Sequence, residues 1–321
     1  MSTFLSIIQE YIRLGIPEQI DYKKFYLYSL ITHSTAIEGS TVTEIENQLL
    51  FDEGITAPGR TLQEQMMNLD LKHAYEIAQE QAKAHTPYSV KMLCDLSACL
   101  MEHTGSTYNT PLGSFSSAAG DLRLLNVTAG FGGRSYMAFA KVPQALQDFC
   151  RWLNNERKQV PATDMLSAYR LSFLAHYRLV TIHPWADGNG RMARLLMNLS
   201  LMRNDYNIAI IPAVTRAEYI SALEQAHNDG NVFVSFIADR VIMTQLDILR
   251  LFRESEPKPN KVPFEEILLD TIKQNPGLNA PSLSKRLGRS LRTTQRYLKK
   301  LSDSKQIVFK GVAKNGGYES L

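Results

Sequence analysis

The residues best suited to carry out chemistry lie together at positions 183–194. This stretch reads His-Pro-Trp-Ala-Asp-Gly-Asn-Gly-Arg-Met-Ala-Arg, so it combines a histidine, a carboxylate, a Gly-Asn-Gly turn and two arginines. A histidine titrates near neutral pH, which allows His183 to take a proton from a hydroxyl group. Magnesium commonly uses one or two carboxylates and fills its other positions with water and phosphate oxygens, so Asp187 alone is sufficient. The stretch predicts proton transfer beside a bound polyphosphate.

The residues after the Gly-Asn-Gly turn predict the helix that must position this chemistry. Apolar side chains recur there at helical spacing: Met192, Leu195, Leu196, Leu199 and Met202. Arg191, Arg194 and Asn198 fall on a polar stripe beside the apolar one. The unpaired N–H groups and the positive dipole end at the start of a helix bind anions. For any one of these residues, a structural role at a capped helix start is an alternative explanation. The combination of all of them in one stretch favours a polyphosphate site.

The same stretch resembles the signature of the Fic family, His-Pro-Phe-x-Asp/Glu-Gly-Asn-Gly-Arg-x-x-Arg. Eight of the nine specified positions match, and Trp185 stands where Phe is usual. Fic enzymes usually transfer AMP from ATP to a protein hydroxyl. The resemblance therefore implies a protein adenylyltransferase that uses ATP with Mg²⁺. It would modify a Ser, Thr or Tyr of a target protein and also of the chain itself.

The resemblance also implies a role for each matching residue. His183 would deprotonate the target hydroxyl, and Asp187 would hold Mg²⁺ against the phosphates. The phosphates themselves would be bound by Gly188, Asn189, Gly190, Arg191 and Arg194. Phosphoryl-type transfer depends mostly on positioning and on charge stabilisation, and such a set of donors can supply both.

A second motif lies near the N-terminus, where a long helical pattern ends. Gly39 falls where a helix C-cap is expected, so Glu38 opposes the helix dipole and requires a cationic partner. Ser34, Glu38 and Gly39 resemble the Fic inhibitory motif, Ser/Thr-x-x-x-Glu-Gly/Asn. The resemblance implies that Glu38 pairs with Arg194 and keeps ATP out of a productive pose. An incidental helix cap is the alternative. In some relatives this glutamate assists AMP removal, so de-AMPylation also stays open.

Two further segments carry weaker resemblances. Gly120 and Arg123 match the Gly-x-x-Arg that opens the Fic flap, a hairpin that aligns the target segment by backbone pairing. An ordinary surface loop is the alternative there. Tyr219 and Asn228 match positions that line the Fic adenine pocket, although the pattern around Asn228 is one residue out of register. A plain core position is the alternative for Tyr219.

Composition limits the class of protein. The chain has 321 residues, 44% of them hydrophobic, and a net charge of +3, which is too small to indicate nucleic acid or membrane binding by the whole chain. Cys94, Cys99 and Cys150 form neither a disulfide framework nor a zinc pattern. Residues 1–16 do not resemble a signal peptide, and no apolar run could span a bilayer. We therefore expect a cytoplasmic protein.

Helical periodicity dominates the chain, and strand-like sequence is scarce before residue 300, with the best candidate between residues 113 and 136. The expected fold is mainly α, a Fic-type helical bundle with a small β-hairpin flap, followed by a small winged-helix domain. A polar run with two prolines predicts a linker. The predicted divisions are an N-terminal helical region with the inhibitory helix at 1–87, the catalytic domain at 88–254, the linker at 255–262 and the winged helix at 263–321.

The C-terminal region has its own charge. From residue 264 onward it contains eleven Lys and Arg against five Asp and Glu, or +6, which leaves −3 for the rest. A basic winged helix-turn-helix is typical of a duplex DNA binder, and a homodimer would present two copies. Protein docking or dimerisation is the alternative for this domain. For the whole chain, two alternatives stay open: a DNA-binding regulator whose Fic domain only senses nucleotide, and a Fic enzyme that uses another nucleotide.

Overall fold

The computed structural model describes residues 2–16, 20–129, 133–161, 163–255, 263–312 and 316–321. In these ranges it is 65% helical, with thirteen α-helices and two small antiparallel sheets, which confirms the predicted mainly α fold. The chain divides into two compact units, Met1–Leu249 and Arg250–Leu321. Apart from its first residue, the linker predicted at 255–262 lies outside the described residues. The finer domain boundaries stay predictions.

Ten helices begin in the first unit. They are α1 Ser2–Arg13, α2 Ile20–Ile37, α3 Glu44–Glu53, α4 Leu62–Lys83, α5 Val90–Leu100, α6 Val142–Gln159, α7 Met165–Ile182, α8 Asn189–Met202, α9 Arg216–Gln225 and α10 Gly230–Ser255. Strands β1 (Thr107–Thr110) and β2 (Gly113–Ser116) form an antiparallel hairpin between α5 and α6, with Thr107 opposite Ser116. The sequence did not predict α1 or β1.

Local sequence signals explain where several helices start. Thr43 and Thr61 begin α3 and α4 with capping boxes, in which the threonine side chain accepts from the N3 backbone and a glutamate at N3 reaches back. Asp164 caps α7 by accepting a hydrogen bond from the backbone N–H of Ser167. These caps fix where α3, α4 and α7 begin, and α7 leads directly into residues 183–194.

The core of the first unit surrounds α7 and α8. Residues 189 and 191–201 of α8 are all buried, as expected for a central helix. The ring of Phe4 on α1 meets Tyr169 on α7 edge-on, with the ring centroids 5.1 Å apart. Helix α1 therefore packs into the same core that positions residues 183–194.

The predicted flap region contains a short hairpin. Thr128 and Ser135 form an isolated β-bridge, and the Tyr136 N–H donates to the Val127 carbonyl at 3.0 Å. Residues 130–132 between them lie outside the described residues. This second hairpin precedes α6 and brings Thr128, Ala129 and residues 134–136 to the stretch at 183–194.

The second unit has the order of a winged helix-turn-helix. Its helices are α11 Phe264–Gln274, α12 Ala280–Arg286 and α13 Leu291–Asp303, and its wing pairs β3 Ile307–Lys310 with β4 Gly317–Ser320. Six buried apolar residues form its core: Leu268, Ile272, Leu283, Leu298, Leu301 and Ile307. The predicted winged helix is confirmed. Among all described residues, every helix is too short or too polar to cross a membrane.

Candidate active site

The loop between α7 and α8 is shaped by its own side chains. His183 ends α7 in the left-handed region, with φ of +54°, and turns the chain away from the helix axis. The Asn189 side chain accepts from the Trp185 N–H at 3.1 Å and donates to the Trp185 carbonyl at 2.8 Å. Asn189 therefore closes the loop from inside. Gly188 has φ of +78°, and a Cβ there would lie 2.7 Å from Met101 Sδ.

The unusual Trp185 connects this loop to the start of the flap region. Its side chain is fully buried, and its indole N–H donates to the Gly120 carbonyl at 3.1 Å. Gly120 has φ of +72°, and a Cβ there would lie 2.1 Å from the carbonyl oxygen of Cys94. Gly120 is thus required by close backbone approach, and the indole adds a hydrogen bond that a phenyl ring could not make.

A cavity of about 680 Å³ opens in front of the loop, a size typical of small-molecule sites. The motif residues on its wall are His183, Ala186, Asp187, Gly188, Asn189 and Gly190. The predicted flap region and the residue after it contribute Thr128, Ala129, Arg134, Ser135, Tyr136 and Met137. Helix α9 and the residues after it contribute Arg216, Ile220, Leu223, Glu224 and His227. Glu38 also reaches the cavity. The structure therefore brings three distant segments together around His183.

One end of the cavity is built to receive negative charge. It includes the first turn of α8, whose backbone N–H groups have no partner within the helix. Arg191 lies in this turn with 3% of its side chain exposed, and burial lowers the pKa of its guanidinium. Its Nε and Nη1 have no hydrogen-bond partner among the described residues. The Asp187 carboxylate, 59% exposed, lies 3.9 Å from Arg191 Nη2. A buried cation with unpaired donors fits a phosphate, and the neighbouring carboxylate fits a metal ion bound to that phosphate.

The second arginine, Arg194, is hydrogen-bonded to the C-terminal end of α2 and to the residue that follows it. The Arg194 Nη2 donates to Glu38 Oε1 at 2.6 Å, and the same guanidinium donates to the Ser34 hydroxyl at 2.8 Å and carbonyl at 2.9 Å. Burial alone would raise the pKa of Glu38, but the charge and hydrogen bond of Arg194 outweigh it and lower that pKa below its ordinary value. Glu38 is therefore ionised. Gly39, with φ of +107°, ends this segment.

Burial also determines the protonation of the candidate base. Removal from water lowers the pKa of His183 to about 4, so the imidazole is neutral near pH 7. Its Nδ1 lies 3.3 Å from the Val180 carbonyl, which assigns the proton to Nδ1 and leaves the lone pair on Nε2. The ring of Tyr136 stacks on this imidazole with centroids 3.7 Å apart and planes 18° apart. No sequence signal pointed to Tyr136.

The remaining predicted residues lie close to the site, but not all reach the cavity. Arg123 is buried and donates to the His183 carbonyl at 2.7 Å, so it supports the base from behind. Tyr219 is buried, and its hydroxyl lies 3.4 Å from Arg194 Nη1 and 3.0 Å from His176 Nε2. Asn228 is exposed and does not line the cavity, whereas its neighbour His227 does.

Comparison with known proteins agrees with this geometry. The profile of the Fic/DOC family matches residues 87–201. The chain contains a Fic domain. A winged helix-turn-helix DNA-binding profile matches residues 266–308, in the second unit.

Relatives of this Fic domain are known as adenylyltransferases. Protein adenylyltransferase fic-1 of Caenorhabditis briggsae is 30% identical over 67% of this chain and 39% of its own length. Protein adenylyltransferase Fic of Drosophila erecta is 33% identical over 68% of this chain and 41% of its own length. This chain thus spans about two fifths of the curated relatives that it matches.

The solved structures contain the same fold. A Fic domain containing signaling protein from Bacteroides thetaiotaomicron superposes with a TM-score of 0.66 at 22% identity. The match covers 76% of this chain and 95% of that one. At this identity the likeness establishes the fold alone.

Proposed function

We propose that this chain is a protein adenylyltransferase that transfers AMP from ATP to a hydroxyl group of a target protein. One observation carries the proposal: a neutral His183 and the anion-binding first turn of α8 open onto the same cavity, and Arg191 in that turn has unpaired donors. The adenylyltransferase relatives support the same reaction class.

The proposed reaction is one in-line displacement. Nε2 of His183 takes the proton of the target hydroxyl while the hydroxyl oxygen attacks the α-phosphorus of ATP, and pyrophosphate leaves. The N–H groups that begin α8 and the Arg191 guanidinium stabilise the charge on the phosphate oxygens. Asp187 would hold Mg²⁺, which, when bound, neutralises phosphate charge.

Another part of the cavity wall suits the nucleobase. Ile220 and Leu223 offer apolar contact there, and His227 offers a ring and a polar atom. We assign the base to this part of the wall. Tyr219 would then act on the nucleotide through Arg194 rather than by touching the base, and His227 takes the place that the sequence suggested for Asn228.

We also propose that Glu38 inhibits this reaction. A Cβ on Gly190 would lie 2.5 Å from Glu38 Oε1, so the carboxylate rests directly against the first turn of α8. The Glu38 carboxylate therefore occupies the position of an anion at this turn and also pairs with Arg194. A nucleoside triphosphate would have to compete with Glu38 for the helix turn and for Arg194.

Labelled ATP tests the proposed reaction. The Glu38→Gly protein is incubated with lysate, beside Glu38→Gly/His183→Ala, and labelled proteins are identified by mass spectrometry. We expect label in target proteins and in the chain itself, and a loss of about 10² to 10⁴-fold without the base. Equal labelling with and without His183 would refute the assignment. Unlabelled GTP, UTP and CTP as competitors, and an AMP-modified target as substrate, separate the other nucleotides and de-AMPylation.

For the second unit we propose duplex DNA binding. One face of α13 exposes Arg292, Gln295, Arg296 and Lys299, while Thr294, Leu298 and Leu301 on the opposite face are buried. Such a basic helix face is the arrangement that enters a major groove. A gel-shift titration with duplex DNA at two salt concentrations tests it, and retardation that is absent or insensitive to salt would exclude this role.

A further inference from the structure

We propose that Tyr136 is a positioning residue for the proposed adenylyl transfer: its aromatic ring, held by the buried Arg123, fixes the His183 imidazole in the orientation that presents Nε2 to the target hydroxyl. The inference rests on the proposed function, and it concerns a residue of the flap that matches no part of the motif.

The first step is the stacking geometry. The two rings are nearly parallel, with 18° between their planes and 3.7 Å between their centroids, so one face of the His183 imidazole is covered. The Nδ1 edge is held at 3.3 Å by the Val180 carbonyl. A covered face and a held edge restrict rotation about the side-chain torsions. The Nε2 edge of the imidazole therefore stays accessible to the target hydroxyl, which must approach in the plane of the ring.

The second step is the connection between base and flap. Arg123 is 1% exposed and donates from Nε to the His183 carbonyl at 2.7 Å, from Nη2 to the Met137 carbonyl at 2.5 Å and from Nη1 to the Leu125 carbonyl at 2.7 Å. One rigid guanidinium therefore joins the backbone of the base to the residue that follows Tyr136. A buried guanidinium without its carbonyl partners is costly, so this geometry is strongly favoured.

The third step separates the ring from its hydroxyl. The Tyr136 hydroxyl makes no hydrogen bond among the described residues, whereas the backbone N–H of Tyr136 donates to the Val127 carbonyl at 3.0 Å. The contact to His183 is made by the aromatic face alone. Phenylalanine should therefore perform the same positioning, and an aliphatic side chain of similar size should not.

The test compares Tyr136→Leu with Tyr136→Phe, both in the Glu38→Gly protein. We expect Tyr136→Leu to lower kcat by roughly 100-fold, the cost of a small misplacement of a catalytic group, with KM for ATP nearly unchanged. Tyr136→Phe should restore kcat. Tyr108→Leu is the matched control, because Tyr108 stacks on Phe115 in the other hairpin and does not line the cavity.

A second readout does not need activity. In histidine-labelled protein, the ring protons of His183, assigned with His183→Ala, should be shifted upfield by the stacked ring. This shift should persist in Tyr136→Phe and disappear in Tyr136→Leu. Unmoved His183 resonances in Tyr136→Leu, or a Phe variant as slow as the Leu variant, would overturn the inference. If no variant transfers AMP, the proposed function fails, while the resonances still decide whether Tyr136 orients His183.

Discussion

Glu38 Oε1 lies 2.6 Å from Arg194 Nη2, although the two residues are 156 positions apart in the chain. The same guanidinium donates twice to Ser34, so the last turn of α2 and the residue that follows it supply all three acceptors. The Nε and Nη2 atoms of Arg194 are therefore already hydrogen-bonded to the protein. In the inhibition proposed above, a nucleoside triphosphate would compete with the Glu38 carboxylate for Arg194.

Removing this carboxylate should strengthen triphosphate binding. We expect Glu38→Gly to bind a non-hydrolysable Mg-ATP analogue roughly 5- to 150-fold more tightly than wild type, the usual range of coupling between two sites. Glu38→Gln, which keeps an acceptor but loses the charge, should fall between them. Calorimetry measures the affinities, with Glu53→Gly at the exposed end of α3 as the control. Equal affinity in all four proteins would contradict the inhibitory role.

The pH dependence of the reaction should reflect the buried imidazole. Because burial lowers the pKa of His183 to about 4, the base stays neutral as the pH falls from 8 to about 5. In Glu38→Gly, kcat/KM should show no loss centred near 6.5, the value of an ordinary histidine. Below 6.5 the unfolded chain takes up this proton before the folded one, so His183 also makes the protein less stable as the pH falls from 6.5 through 4. A pH–rate profile with a histidine break near 6.5 would be inconsistent with this burial.

Gly190 should be coupled to Glu38 in stability. An alanine Cβ at this position would lie 2.5 Å from Glu38 Oε1 and 3.1 Å from Arg194 Nη1. We expect Gly190→Ala to lower the free energy of unfolding by about 1 to 3 kcal/mol in the wild type, as overpacking does. The loss should be smaller in Glu38→Gly, where the nearer atom is gone. A double-mutant cycle by denaturant unfolding measures the difference, and strict additivity would show that the two residues do not press on each other.

The winged helix should bind DNA through phosphate contacts of α13. Arg292→Ala and Arg296→Ala should each weaken binding to any duplex and reduce the slope of log affinity against log salt by about 1. Lys300→Ala is the control, because Lys300 pairs with Glu265 at 2.5 Å within its own unit. Salt slopes that are the same for all four proteins would place the DNA contacts, if any, elsewhere.

The sequence by itself determined the elements whose signals are local. The stretch at 183–194, the helix that begins within it and the winged helix all depend on neighbouring residues, so periodicity and motif spacing were sufficient to predict them. The Glu38–Arg194 pair was also expected, because both of its partners belong to recognisable motifs. Elements that depend on interactions between neighbouring residues can be predicted from a short stretch of sequence.

Only the tertiary structure decided which side chains face the cavity and which support it. Asn189 turns inward to close its loop, His227 rather than Asn228 reaches the cavity, and Tyr136 covers His183. These outcomes depend on how the flap and α9 pack against α7 and α8, and a difference of one residue or a few ångströms reverses them. Contacts between segments far apart in the chain depend on the packing of the whole core. A local sequence pattern therefore cannot predict them.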